Sequence, residues 1–481
     1  MEITSFKKKL TWIILTVVTA GSLSCASGRG ELSTMDIEIP NTWSNLEGLT
    51  IDPNNDIDYL QFQWWGRFDD PILIELIEEA LSSNPDLAIA SLRIIQAEQQ
   101  LIIAGARKKP SADLGATTSK TTSSTETGTG GTGTVISTSL ETSWELDLFG
   151  KTSRNIRATR AALAGNVATK NGIKIKLISD IALNYIDFRS TQDILKLQKQ
   201  RTRHLDEILR LTENEVNAGL ISDEQIEIAK ISKLQSDALV DKKQTELRDF
   251  GFALDVLLGT SPGTTFKRIA LSDNALKVPR LIALGIPAES LKQRPDVIEA
   301  LEQVKVENEK IGIAKAKQLP SLTLRGSIGL EALSLNALGN QGSDFSSLRA
   351  SILMPIFNAG ELKAGEIEQV ARRDEALENY KKTLRNGLIE VEKTLINLLN
   401  SRKQATSAEK TLISKNFEAR SAVKQFTTGL KDYKDVLRTK AELTLVKQDK
   451  IEATRNELKV ITRLYKALGG GWNIPKKQKQ I

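Results

Sequence analysis

Along residues 135–149, VISTSLETSWELDLF, apolar and polar side chains alternate with period two. Ile136, Leu140, Trp144, Leu146 and Leu148 share one parity with Thr138 and Thr142. Ser137, Ser139, Glu141, Ser143, Glu145 and Asp147 share the other. Ala112, Leu114 and Ala116 alternate in the same way with Ser111, Asp113 and Gly115, and Leu322, Leu324 and Ile328 with Thr323, Arg325 and Ser327. Leu348, Ala350, Ile352, Met354 and Ile356 oppose Arg349 and Ser351. Four strands are therefore expected, at about 111–119, 135–148, 321–330 and 347–357. Segments of roughly ten residues with one apolar face are the pattern of membrane β-strands. A half-buried antiparallel sheet alternates too.

Between these segments the period is helical. After Pro85, in LAIASLRIIQAEQQLIIAGA, Leu87, Ile94, Leu101 and Ile102 recur at helical spacing. Pro85 and Pro295 suit the first helical turn, where the missing N–H costs nothing. Residues 150–217 and 360–427 contain no proline. A run of 68 residues at 1.5 Å per residue reaches about 100 Å. Gly172 and Gly387 are the places where either run would break.

The chain contains itself twice. NPDL at 84–87 returns as RPDV at 294–297, Pro110-Ser111 as Pro320-Ser321, Gly219-Leu220 as Gly429-Leu430, and Leu258-Gly259 as Leu468-Gly469, each pair 210 residues apart. Two repeats follow, 60–275 and 276–475, with SDNALKVPRLIALGIP at 272–287 between them. Residues 476–481 read as a basic tail, carrying Lys476, Lys477 and Lys479.

The N-terminus reads as a secretory signal at 1–24. Lys7, Lys8 and Lys9 precede the apolar run LTWIILTVVTAG, which is too short to span a bilayer comfortably. Cys25 follows in SLSC. A cysteine there resembles a bacterial lipoprotein site, with 25–59 an extended, lipid-anchored segment. Leu23 stands two before Cys25, where that pattern prefers three. Cleavage after Ala26 is the other reading.

Composition narrows the chemistry. Charged residues make up 26% and aromatics 5%, which suits long helices with solvated faces. Net charge is +6 from 66 basic and 60 acidic residues, without the concentrated basic, aromatic-laced patch of a nucleic-acid groove. No nucleic-acid partner is expected. Cys25 and His204 are the only cysteine and histidine, which removes disulfide frameworks, Cys/His zinc sites and most catalytic constellations. His204 is expected on a solvated helix face. No cofactor or metal is expected.

GTGGTGTV at 128–135 has the Gly128-x-Gly130-x-x-Gly133 spacing of a dinucleotide fingerprint, with Asp147 as an apparent ribose acid. That motif must follow an apolar strand and open a helix. Here the polar TSKTTSSTET precedes it and an alternating strand follows, with Asp147 on its polar face. The glycines mark a loop between two strands, matched in the second repeat by LGNQGSDF at 338–345.

Spanning strands must close, because lipid satisfies no open edge. Common barrels start at about eight strands, so a chain offering four must oligomerise. SWELDLFGK at 143–151, LMPIFNAGEL at 353–362, WWGRFDDPILIELIEEALSSNPDL at 64–87, NAGLISDEQIEIAK at 217–230 and TGLKDYKDVLRTKAEL at 428–443 now resemble the TolC-like outer-membrane factors, in particular the lipoprotein efflux branch. The resemblance covers essentially everything after residue 60.

It implies an α+β membrane protein, a homotrimer whose 12-stranded outer-membrane β-barrel continues into a long periplasmic α-helical barrel. It implies a passive exit duct, not an enzyme, fed by a periplasmic adaptor and an inner-membrane pump, typically of the resistance-nodulation-division type. It implies that the turns at Gly219, Leu220, Gly429 and Leu430 dock the adaptor. Family members can carry an acid at the position of Asp435, facing the pore. Arg438 stands where a further acid is frequent, and Lys434 and Lys431 add positive charge, so a mixed-charge periplasmic gate is expected, with Asp435 paired to Arg438 or Lys431. Type I protein secretion is the alternative duct. A non-pore, lipid-anchored coiled-coil surface protein is a further alternative, which leaves the matched strands unexplained.

Overall fold

A computed structural model describes residues 40–46, 63–126, 130–269, 276–280 and 287–471. Cys25, Gly128 and the 476–481 tail lie outside them. All described residues but Pro40 fall in one unit.

The helices begin where proline or a capping side chain allows. A 3₁₀ turn, Trp64–Phe68, leads into α1, Pro71–Ser83, and α2, Pro85–Ala106, each with proline at its first turn. Asp70 caps α1 by accepting from the Ile72 amide, and Asn84 caps α2 by accepting from Leu87. Two strands follow, β1 (Ser111–Thr122) and β2 (Thr132–Leu146). Then come α3 (Lys151–Asn217) and α4 (Glu224–Leu258), with a short α5 (Thr264–Ile269). The second repeat opens with α6 (Pro287–Gln293) and continues as α7 (Pro295–Ala316), β3 (Ser321–Ala332), β4 (Asp344–Leu353), α8 (Glu361–Thr427) and α9 (Tyr433–Ala467). The ends of α2 and α7, of β1 and β3, and of α3 and α8 are 210 residues apart.

Both long helices run 67 residues without a break, so Gly172 and Gly387 interrupt neither. Their neighbours change along the way. α2 and α7 pack on α3 and α8 at the sheet end; α4 and α9 pack toward the turns. The short helices meet end to end. The Asn84 amide donates to the Leu257 carbonyl at 2.8 Å, and Ser83 Oγ to the Leu258 carbonyl. These bonds satisfy carbonyls that the end of α4 leaves open. At the equivalent junction Arg294 donates to the Ala467 carbonyl and also pairs with Asp296 and Glu390. Asn84 and Arg294 are repeat mates, so two different side chains make the same splice. Burial lowers the Arg294 pKa, but the two carboxylates outweigh it and keep the guanidinium charged.

The core sits at these junctions. Trp64, Phe68, Leu73, Leu76 and Ile77 pack with Ile178, Ile181 and Tyr185 of α3 and with Ile461, Leu464 and Tyr465 of α9. Trp64 stacks on Tyr465 at 5.2 Å. Tyr185 donates to Asp70, which is 1% exposed, at 2.8 Å. α2 leaves an apolar face open. Leu87 is buried, Ile94 and Leu101 are half-buried, and Ile102 is exposed.

Several sequence expectations are corrected. β4 spans 344–353 instead of about 347–357, because Pro355 has no N–H for a ladder; Met354 and Ile356 lie beyond the strand. β2 ends at Leu146, so Leu148 and Asp147 are off the strand. Asp147 is not a polar-face residue: its carboxylate accepts from the Thr152 and Ser153 amides at 2.9 and 2.8 Å and caps α3. Partial burial pushes this carboxyl up, but the Ser153 and Thr152 hydrogen bonds and the Lys108 charge outweigh it and hold it below the ordinary aspartate value. His204 is half-buried on α3, and burial together with Lys440 and Arg203 lowers its pKa, leaving it neutral at pH 7.

Candidate channel sites: the sheet and the two turns

The sheet is antiparallel throughout, in the order β1-β2-β3-β4. Its register keeps parity across all strands. Even-numbered residues meet even-numbered ones: Leu114, Leu140 and Ile328 align, as do Trp144, Leu324 and Ala350, and Leu146, Leu322 and Ile352. Odd-numbered residues form the opposite face, with Asp113 across from Glu141, and Arg325 across from Arg349. A one-residue slip in any strand would put polar groups on the apolar face.

The even face is both apolar and open. Leu114 is 80% exposed, Leu348 85% and Ile352 74%. An exposed apolar face of this extent needs a nonpolar medium or a partner. Trp144, Phe149 and Phe357 lie at the helix-side rim, and Trp144 donates its indole N–H to the Lys108 carbonyl at 3.1 Å. Aromatic residues with a polar handle suit a membrane–water boundary. β1 and β4 each have a strand on one side only, so the sheet ends in two unpaired edges.

The two turns repeat one geometry. Gly219 and Gly429 have φ +75° and +74°. The Gly219 amide donates to Val216 and Leu220 to Glu215; Gly429 donates to Phe426 and Leu430 to Gln425. These paired bonds close a helix end in the Schellman manner. A Cβ at either glycine would meet nothing within 4 Å, so backbone conformation alone demands glycine there. Leu220 and Leu430 project outward, 74% and 77% exposed.

Around the second turn, Asp435 pairs with Arg438 at 3.1 Å, not with Lys431. Lys431 is exposed. Lys434 reaches across to Glu215 of the first turn. Glu215 was not legible as a partner, because 219 residues separate the two. Asp432 caps α9 through the Asp435 amide at 2.8 Å. An Asp just before a helical run is a start signal that the sequence did offer. Phe426 packs on Tyr433 with ring centroids 5.3 Å apart, an aromatic clasp confined to the second turn. Higher up, Gln198 donates to the Ser236 carbonyl and hydroxyl, Thr202 bonds the same hydroxyl, and Gln448 donates to Gln198. This buried polar layer ties α3, α4 and α9 in one register.

A sheet with one lipid-compatible face, joined to helices of about 100 Å, defines the class: an outer-membrane channel protein with a long helical extension. A sequence model of the outer membrane efflux protein family matches residues 76–260 and again 286–470. The chain belongs to that family, whose members are channels. It is 31% identical over 415 residues to the solvent efflux pump outer membrane protein SrpC of Pseudomonas putida, covering 85% of this chain and 87% of that one. It is 27% identical over 472 residues to the probable outer membrane lipoprotein SilC of Salmonella typhimurium, covering 97% and 99%. Among solved structures, that of CusC superimposes with a TM-score of 0.74 at 26% identity, over 85% of this chain and 94% of the other. The Campylobacter jejuni CmeC channel superimposes with a TM-score of 0.78 at 23% identity, over 91% and 93%. The two family matches start 210 residues apart, the repeat offset found in the sequence.

Proposed function

We propose that three copies of this outer-membrane efflux channel close one 12-stranded barrel, four strands from each, continuous with a helical tunnel in the periplasm. The observation that carries this is the sheet itself: four strands, one apolar face and two open edges. An edge in lipid leaves backbone groups unsatisfied at several kcal/mol each, so β1 of one copy pairs with β4 of the next.

The turns are the attachment points. Leu220 and Leu430, held outward by the glycine turns, meet the helical hairpin of a periplasmic adaptor, which joins the duct to an inner-membrane pump of the resistance-nodulation-division type. Lys434, Lys431, Asp435 and Arg438 form a mixed-charge constriction at this end. Cys25 carries the lipid anchor, as the name of SilC suggests for that relative. Relatives are named for solvent and for cation efflux, which fits a duct whose cargo is chosen by its pump.

Reconstitution into a planar bilayer tests the reading. Purified trimer is expected to give discrete single-channel conductance, and cysteines at 220 and 430 are expected to crosslink to the adaptor. Protein that inserts but never conducts would refute the duct. Asp435→Asn is expected to change conductance and cation preference; an unchanged trace would remove Asp435 from the gate.

A further inference from the structure

We propose that Arg325 and Arg349 form an anion-binding belt inside the barrel, one that favours anionic cargo bearing carboxylate or phosphate groups. This rests on the three-copy channel reading above. The even-numbered face is apolar and meets lipid, so the odd-numbered face lines the lumen. Arg325 and Arg349 are direct partners across β3 and β4, and the same cross-strand row continues through Ser143 to Ser111. Two cations placed directly opposite repel each other. Among the described residues neither guanidinium is in an ion pair. Their planar donor forks are therefore free to take an oxyanion two-pronged.

The neighbouring row sharpens the inference. Asp113 and Glu141 face each other across β1 and β2, in line with Ser327 and Ser347. Rows of one face lie about 7 Å apart. Acids and arginines are thus segregated into separate rows instead of being paired across strands, which mutual neutralisation would require. The arginine row is the nearer to the helices, because β3 enters at Ser321 and β4 leaves at Leu353. Cargo arriving through the helical tunnel first passes the row of Glu145, whose carboxylate is already paired with Lys151, then meets the unpaired arginines, and meets Asp113 and Glu141 beyond them. With three copies, six arginines ring the lumen. Rings of Arg or Lys select anions in pores.

The test is a bilayer measurement on the full-length trimer under a potassium chloride gradient. Arg325→Ser with Arg349→Ser is expected to lower the chloride-to-potassium permeability ratio severalfold, and Arg325→Lys with Arg349→Lys to retain most of it. Inorganic phosphate is expected to reduce chloride current through wild type and to lose that effect in the double-serine protein. Trimer recovery by size exclusion verifies that each variant assembles; if the double-serine protein fails to assemble, the phosphate effect is read on the double-lysine protein and the single-serine variants. A conducting wild type whose serine variants keep both the ratio and the phosphate block would overturn the belt and leave the channel standing. A wild type that never conducts would overturn both.

Discussion

Single side chains hold this protein together at its junctions. Tyr185 donates to the buried Asp70, which in turn caps α1. Removing one partner so that a buried acceptor is left unsatisfied costs about 1–3 kcal/mol. Tyr185→Phe should therefore lower the thermal midpoint of the helical region in a circular-dichroism melt while leaving channel conductance unchanged. Asp147 gives a pH-dependent counterpart. Its carboxyl is held below the ordinary aspartate value, so the stabilisation from capping α3 is present above about pH 4 and is lost as pH falls through the folded-state value. Asp147→Ala should cost about 1 kcal/mol at neutral pH, and its deficit against wild type should vanish in strong acid. A deficit that stayed constant with pH would assign the loss to packing. Neither role was readable from sequence. Asp70 and Tyr185 are 115 residues apart, and Asp147 fits the alternating pattern of a strand that in fact ends one residue earlier.

At the scale of elements, the sequence was most informative where a period is long. Strand parity at Leu114, Leu140, Ile328 and Leu348 is a local property, and the structure keeps it in every strand. Proline-free runs and the offset of 210 placed α3, α8 and their turns. Boundaries and partners were less legible, because tertiary contacts decide them. Pro355 ends β4 early, and the Lys434–Glu215 pair joins two turns that no local pattern relates. Glycines within strands illustrate the same limit. A Cβ at Gly329 would lie 2.1 Å from the Thr138 carbonyl oxygen and 2.7 Å from Ser139 Cα, whereas one at Gly115, in the same row, would meet nothing within 4 Å. Backbone cannot yield as a flexible side chain can. Gly329→Ala is therefore expected to disrupt β2–β3 pairing and sharply reduce recovered trimer, and Gly115→Ala to assemble normally. Equal recovery of the two would show that the sheet relaxes around Gly329.

At the scale of the whole molecule, the decisive property is that the two faces of one sheet need different surroundings. Leu348 and Ser347 are neighbours in β4, both exposed in the single chain, yet parity assigns Leu348 to lipid and Ser347 to the lumen. A soluble half-buried sheet would treat them differently. Its apolar face would rest on a protein core, and Leu348→Arg would cost what any buried cation costs. In a barrel the penalty depends on depth in the bilayer, about 2–4 kcal/mol near the midplane, multiplied by three copies. Ser347→Arg faces water in the lumen and forfeits only its hydroxyl contact with Ser327. Leu348→Arg should therefore deplete the proposed three-copy channel from outer-membrane fractions, while Ser347→Arg should assemble at wild-type levels and change only conductance. The contrast separates membrane from core because detergent replaces lipid: Leu348→Arg protein refolded in mild detergent should recover much of its trimer. A core position would gain nothing from detergent. If both variants assemble equally well in membranes, the even face of this sheet does not meet lipid.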